Sequence, residues 1–150
     1  MIGVLQIVDY AYVKINDLKF SQIKKGVLFY LGICKNDTKH DIEYMLNKFL
    51  NIKIWPKQDG NIGLPIKQIN PAVLIVSEFT LCAYIKHGSH VSFNTAMQYQ
   101  EAKLLFEQFV TLLSKHIDIV RTGKFGANME VVSKNKGPIT IILNSKGYIL

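Results

Sequence analysis

Two short stretches carry residues whose types and spacing could do chemistry. The first is Ser77-Glu78-Phe79-Thr80-Leu81, two hydroxyls and a carboxylate that follow an apolar run at residues 71–76. The second is Asn135-Lys136-Gly137-Pro138-Ile139-Thr140, a Gly-Pro step set against an apolar run at residues 139–143. Glycine lets another chain or a ligand come close. Proline removes a donor and is the one residue before which a cis peptide is cheap. Together they leave two carbonyl oxygens with little side chain around them. The same residues also suit an ordinary turn leading into a strand. In the first stretch a hydroxyl nucleophile would need an adjacent base. Glu78 shares a strand face with Thr80 at period two, so Thr80 is the candidate nucleophile. Against it, neither stretch contains a histidine, and the chain has no Gly-x-Ser-x-Gly or His-Glu-x-x-His. A strand Ser or Thr bonding its neighbours is an equally available reading of Ser77 and Thr80.

The elements that must position these stretches are legible from periodicity. Residues 1–8 and 10–15 read as strands, and Asn16-Asp17 reads as a tight turn into a third at 18–23. Residues 27–34 form a continuous apolar run, as in a strand covered on both faces. Asp37 or Thr38 then caps a helix. Thr38 and Asp41 have the capping-box spacing, and Ile42, Met45, Leu46, Phe49 and Leu50 form one apolar face. A short strand at 52–55 and the turn signal Asp59-Gly60 follow, before the buried-strand pattern at 72–76. Residues 99–116 predict the longest helix, with Ala102, Leu105, Phe106, Phe109, Val110 and Leu113 on one face. Residues 117–121, 129–133 and 139–143 read as the last strands. Many strands around two main amphipathic helices predict an α+β fold with mostly antiparallel, barrel-like sheets. No boundary or repeat divides the chain, so residues 1–150 are read as a single domain.

Composition sets further bounds. The formal charge of +7 favours a polyanionic partner, although solvated lysines alone would give the same number. The apolar start lacks a basic leader, and the longest apolar run is too short to span a bilayer. We therefore expect a cytoplasmic protein with no membrane partner. Cys34 and Cys82 sit in apolar contexts without a Cys-x-x-Cys, which predicts buried, inert thiols and no disulfide. His87 and His90, in the polar loop at 86–90, lack a third ligand at suitable spacing, so no metal site is expected.

The two stretches together resemble the signatures of the D-aminoacyl-tRNA deacylase family, a Ser-Gln-Phe-Thr-Leu run and an Asn-x-Gly-Pro-(Val/Ile)-Thr run. The second is complete here. The first departs at Glu78, where the family has an amide. Leu5-Gln6, Lys25-Gly26, Leu31-Gly32, Asp59-Gly60, Ser92-Phe93 and Gly123-x-Phe125-Gly126-Ala127 extend the resemblance to residues 1 to about 144. Ile7, His90-Val91, Asn128 and Glu130 depart from it. The family usually has an arginine at the first of these positions, Arg-Pro at the pair, and Asp and Gln near the last two.

The resemblance implies a homodimer with active sites at the subunit interface, no cofactor and no DNA. The substrate it implies is the aminoacylated 3′ end of a tRNA, with mischarged glycyl-tRNA as a further candidate. Ser77, Glu78, Phe79 and Thr80 would form the catalytic stretch. The backbone N–H groups of residues 78–80 would serve the ester carbonyl, and the terminal ribose 2′-hydroxyl would assist hydrolysis. Thr80 is then a positioning residue rather than a nucleophile. Gly137 and Pro138 would select chirality through their carbonyls. Phe125, Met129 and Ala102 would line an adenine pocket, although Phe125 and Met129 suit plain core packing equally. We expect the Glu78 side chain to face solvent or a lysine and to be nearly silent. The alternatives are a non-catalytic protein that binds tRNA 3′ ends, or a related deacylase with altered chiral preference.

Overall fold

The computed structural model describes residues 1–85 and 89–147. Its spine is β1 (Ile2–Ile15), which pairs antiparallel with β2 (Leu18–Ile23), β3 (Gly26–Gly32) and β8 (Glu130–Asn144). Asn16 and Asp17, both left-handed, make the tight turn from β1 to β2. β6 (Ala72–Ser77) pairs parallel with β3, and β7 (Val120–Thr122) pairs parallel with β6. The sheet is therefore mixed, and four of the six strand pairings among the described residues are antiparallel. Both parallel pairings follow long, helix-bearing crossovers, the connections that parallel neighbours require. The first crossover holds α1 (Lys39–Asn51), the small hairpin of β4 (Lys53–Pro56) and β5 (Ile62–Pro65), and one turn of helix, α2 (Ile66–Ile69). The second holds a 3-10 turn (Phe79–Cys82) and α3 (Tyr99–Leu113). Among the described residues no helix is long and apolar enough to cross a membrane.

Each face of the sheet buries its own core. Phe29, Leu31, Val73 and Ile75 pack against α1 and α3 through Ile42, Met45, Phe49, Phe106 and Phe109. Leu28, Leu74 and Val76 pack on the other side with Val8, Ala11, Val13 and Ile23. β1 serves both cores because it changes phase. Leu5 and Ile7 belong to the first and Val8, Ala11 and Val13 to the second, and the pairing with β8 shifts register on both sides of Val8. The expected pair of strands at 1–8 and 10–15 is thus one bulged strand. Ile7, where the family usually has an arginine, lies in the first core.

The same phase change shapes β8. Gln6 pairs with Thr140 and Val8 with Asn135, so residues 136–139 stand opposite Ile7 alone. The two strands expected at 129–133 and 139–143 are one strand interrupted by this excursion. Gly137 and Pro138 lie on it, exposed and joined by a cis peptide bond. Ile139 turns back to pack on the first core.

Two networks fasten the structure. In the first, Asp37 is buried and accepts from the Met1 ammonium at 2.7 Å and from the Cys34 N–H. Asp41, also buried, accepts from Thr38, Ser145 and Lys146. Burial alone would raise the Asp41 pKa. The hydrogen bonds from Lys146, Ser145 and Thr38 outweigh it and hold the carboxyl well below its usual range. The second fastening overturns an expectation, because Cys34 and Cys82 are joined as a disulfide across 48 residues, with Cα atoms 5.5 Å apart. The physical reason is the parallel register of β3 and β6. Leu31 pairs with Ser77, so the chain leaving each strand arrives in the same place.

Candidate active site

The first candidate stretch leaves β6 and turns at once. Glu78 donates its N–H to the Leu31 carbonyl at 3.0 Å, one last link of the β3–β6 pairing. The 3-10 turn then brings Leu81 back onto the Glu78 carbonyl. Gly32 makes this possible. A Cβ there would stand 2.8 Å from the Glu78 carbonyl oxygen and 3.0 Å from the Leu81 Cβ. The disulfide at Cys82 and a hydrogen bond from the Thr95 hydroxyl to the Cys82 carbonyl hold the end of the turn.

These constraints settle where the backbone donors go. The Glu78 N–H is taken by Leu31. The Thr80 N–H points at the Glu78 carboxylate at 3.4 Å, and the same Oε1 accepts the Thr80 hydroxyl in a short contact. Of the three N–H groups nominated by sequence, only that of Phe79 lacks a partner among the described residues. The Phe79 ring is exposed and meets Phe93 edge-on at 5.2 Å.

Beside the turn lies a cavity of about 450 Å³. Ser77, Glu78, Phe79, Ala102, Phe125 and Met129 all line it. These six belong to two separate groups in the sequence, and the fold brings them to one cavity. Its lining comes from the end of β6, the start of α3 and the loop after β7. In that loop a Cβ at Gly123 would meet the Met129 sulfur at 2.6 Å, and Gly126, at φ +72°, would meet the Tyr99 ring. Phe125 packs between Tyr99 and Phe106, 5.3 Å from each ring. An exposed aromatic edge over an apolar floor suits a flat ring as ligand.

Thr80 is not on this wall, because its side chain is turned to Glu78. Gly137 and Pro138 are not on it either. They sit on the β8 excursion of the same chain, away from the cavity lining. Tyr99 and Met97 also line the cavity and were missed by sequence. Tyr99 carried a faint signal, one turn before Ala102 on the same helix face. Among the described residues no three His, Cys, Asp or Glu side chains come together as metal ligands. His87, one of the two histidines weighed as a ligand, lies outside the described residues.

Glu78 departs from the expectation of a solvent-facing or lysine-paired side chain. It is half-buried, lines the cavity and takes part in none of the ion pairs among the described residues. Its charge is felt behind the wall. Burial, and then the Glu78 carboxylate, raise the pKa of the Tyr30 hydroxyl above its ordinary value.

Known proteins resemble this chain along most of its length. A family model described as D-Tyr-tRNA(Tyr) deacylase matches residues 4–144. The D-aminoacyl-tRNA deacylase of Thermosipho melanesiensis is 42% identical over 147 residues, 97% of this chain and 98% of that relative. That of a Nitratiruptor species is 40% identical over 146 residues, 97% of this chain and 99% of its own length. Among solved structures, one titled c-Myc DNA unwinding element binding protein superimposes with a TM-score of 0.90 at 32% identity, over 96% of this chain and 98% of that one. A probable eukaryotic D-amino acid tRNA deacylase shares the fold, with a TM-score of 0.82 at 16% identity over 95% and 97% of the two chains. With a family model across residues 4–144 and relatives at this identity over nearly their full length, the chain belongs to the D-aminoacyl-tRNA deacylases, hydrolases that act on aminoacyl-tRNA.

Proposed function

We propose that the cavity beside Phe79 holds the 3′-terminal aminoacyl-adenosine of a tRNA charged with a D-amino acid, and that its ester is hydrolysed there. The observation that carries this reading is the Phe79 N–H, unpartnered among the described residues, at the edge of a cavity lined by Phe125 and Tyr99. Adenine would lie against Phe125 and Tyr99 on the floor formed by Ala102 and Met129. The ester carbonyl would then reach the Phe79 N–H, which stabilises the oxyanion as water adds to the carbon. The ribose 2′-hydroxyl beside the ester takes the proton from the attacking water and gives one to the departing 3′-oxygen. Thr80 is already engaged by Glu78 and has no part in bond making. Free D-amino acid and tRNA are the products. Mischarged glycyl-tRNA is a second candidate substrate, and the cytoplasm, where tRNA is charged, is the natural setting.

Chiral selection is assigned to the carbonyls of Gly137 and Pro138. They do not line the cavity of their own chain, so the reading requires a second copy to supply them. In a C2 dimer the exchange is reciprocal and gives two equivalent sites. An α-ammonium bound by carbonyls, with the ester fixed beside it, leaves one direction for the side chain. A D side chain then points to open space and an L side chain meets backbone.

The test is a side-by-side deacylation of D-Tyr-tRNA and L-Tyr-tRNA by the purified protein, repeated with a 2′-deoxy terminal adenosine. The expected result is rapid loss of the D ester, a stable L ester and a poor deoxy substrate. Equal cleavage of both esters overturns the chiral assignment. Binding of tRNA without any cleavage would mark a protein that only holds tRNA 3′ ends.

A further inference from the structure

Among the described residues Glu78 is the one acidic side chain lining the cavity, and only half of its carboxylate is used. Oε1 accepts the Thr80 hydroxyl and faces the Thr80 N–H. Oε2 has no donor and no cation among the described residues. Leu31, Val76, Phe79, Met97 and Met129 line the same cavity, with Ser77 and Asn128 among its polar residues. A carboxylate oxygen beside a cavity with no donor of its own can take a charge-assisted bond from a ligand cation. The asymmetry therefore points to a cationic ligand group that completes the carboxylate.

We infer that Glu78 binds the α-ammonium of the aminoacyl group, making it a substrate-binding residue specific to chains that carry a carboxylate here. The inference rests on the reading of the cavity as an aminoacyl-ester site. Adjacent residues would serve adjacent carbons of the substrate, with the Phe79 N–H on the carbonyl oxygen and the Glu78 Oε2 on the neighbouring ammonium. An ammonium has three donors, so one can meet Glu78 while the others remain for the Gly137 and Pro138 carbonyls. A neutral amide at this position would keep the hold on Thr80 through its oxygen. It would lose the charge-assisted bond, about twice as strong as a neutral one. The carboxylate also sets a requirement of its own, because an acyl group lacking a free amine is left with an uncompensated charge to face.

The test is a binding measurement that does not depend on turnover. The probes are 3′-deoxy-3′-(D-tyrosylamino)adenosine, whose amide resists hydrolysis, and the same compound with its α-amine acetylated. The wild-type protein should bind the free amine at least about tenfold more tightly than the acetylated form, the size of one hydrogen bond to a charged group. Glu78→Gln preserves shape and the Thr80 contact, and should shrink that difference by at least about threefold, the remainder being the bonds to the Gly137 and Pro138 carbonyls. A wild-type protein that does not separate the probes, or binds neither, overturns the inference. So does a Glu78→Gln protein that keeps the full difference, or one that weakens both probes equally, which would mark an effect through Thr80 instead. Cleavage of D-Tyr-tRNA, measured in parallel, separates the two levels. Cleavage with an unchanged probe ratio removes the Glu78 assignment alone. A probe ratio that collapses in Glu78→Gln, in a protein that cleaves nothing, supports the ammonium site and removes the hydrolase reading.

Discussion

Two carboxylate neighbourhoods in this molecule differ in one respect. Around Asp37 and Asp41 every charge is answered from within the chain, by the Met1 ammonium, Lys146, Ser145 and Thr38. Around Glu78 one oxygen is answered and, among the described residues, the other is not. The first arrangement joins the ends of β1 and β8 to the start of α1 and leaves nothing for a ligand. The second is held in place by a disulfide and backbone bonds, so its carboxylate is free to do something other than hold the fold. Internal saturation marks a structural site, and a fixed but unsaturated group marks a site for something else.

That contrast makes separable predictions. The largest concerns the covalent tie behind the cavity. Cys82→Ser should lower unfolding stability by about 4 kcal/mol, the loop-entropy value for a closure of this length, as read by urea unfolding. A loss under about 1 kcal/mol would show that the disulfide is not what fastens the turn. Next is the closed neighbourhood itself. Asp37→Ala takes the counter-charge from the Met1 ammonium, which is fully buried with it and keeps only its bond to the Ser145 hydroxyl, and should cost on the order of 3 kcal/mol. Cleavage at the cavity should survive at temperatures where that variant is folded.

Asp41 gives a smaller, pH-dependent signature. Its folded pKa is depressed, so its contribution is present above the unfolded carboxylate value, roughly 4, and is lost as pH falls towards the folded value. The stability gap between wild type and Asp41→Asn should therefore be constant from neutral pH down to about 5 and shrink below it. A gap that widens in acid would reverse the assignment. The smallest effect is expected from Glu78→Gln, which should change stability by less than about 0.5 kcal/mol. A loss comparable to that of Asp37→Ala would make Glu78 a structural group and erase the comparison.

Much of this was legible in the sequence, for identifiable reasons. The faces of α1 and α3 follow from apolar spacing, and the Thr38–Asp41 cap follows from its box. Ser77, Glu78 and Phe79 could be named because one motif carried them, and Ala102, Phe125 and Met129 because the resemblance implied a pocket, but their meeting depends on β6, α3 and the loop after β7 converging, which no local pattern states. β1 and β8 were each divided in two because a bulge reverses the hydrophobic phase in the way a strand break does. The disulfide was invisible because its partners lie 48 residues apart and meet only through the parallel register of β3 and β6. The direction of Glu78 could not be read either. At period two it faces Thr80 in any strand, and only the turn at Phe79–Cys82 decides that it also faces the cavity.

The central claim is that the working site is made by two copies, one giving the cavity and the other Gly137 and Pro138. Mixed dimers test it most directly. Ala102→Trp fills the cavity floor. Gly137→Val adds a side chain where φ is +113° and a Cβ would already stand 2.8 Å from Ile139. Each variant alone should fail to cleave D-Tyr-tRNA. If the site is shared, unfolding and refolding the two together gives hybrids with one intact site each. Random pairing should then restore about a quarter of wild-type activity. A mixture as inactive as its parents would contradict the claim and place both groups within a single chain.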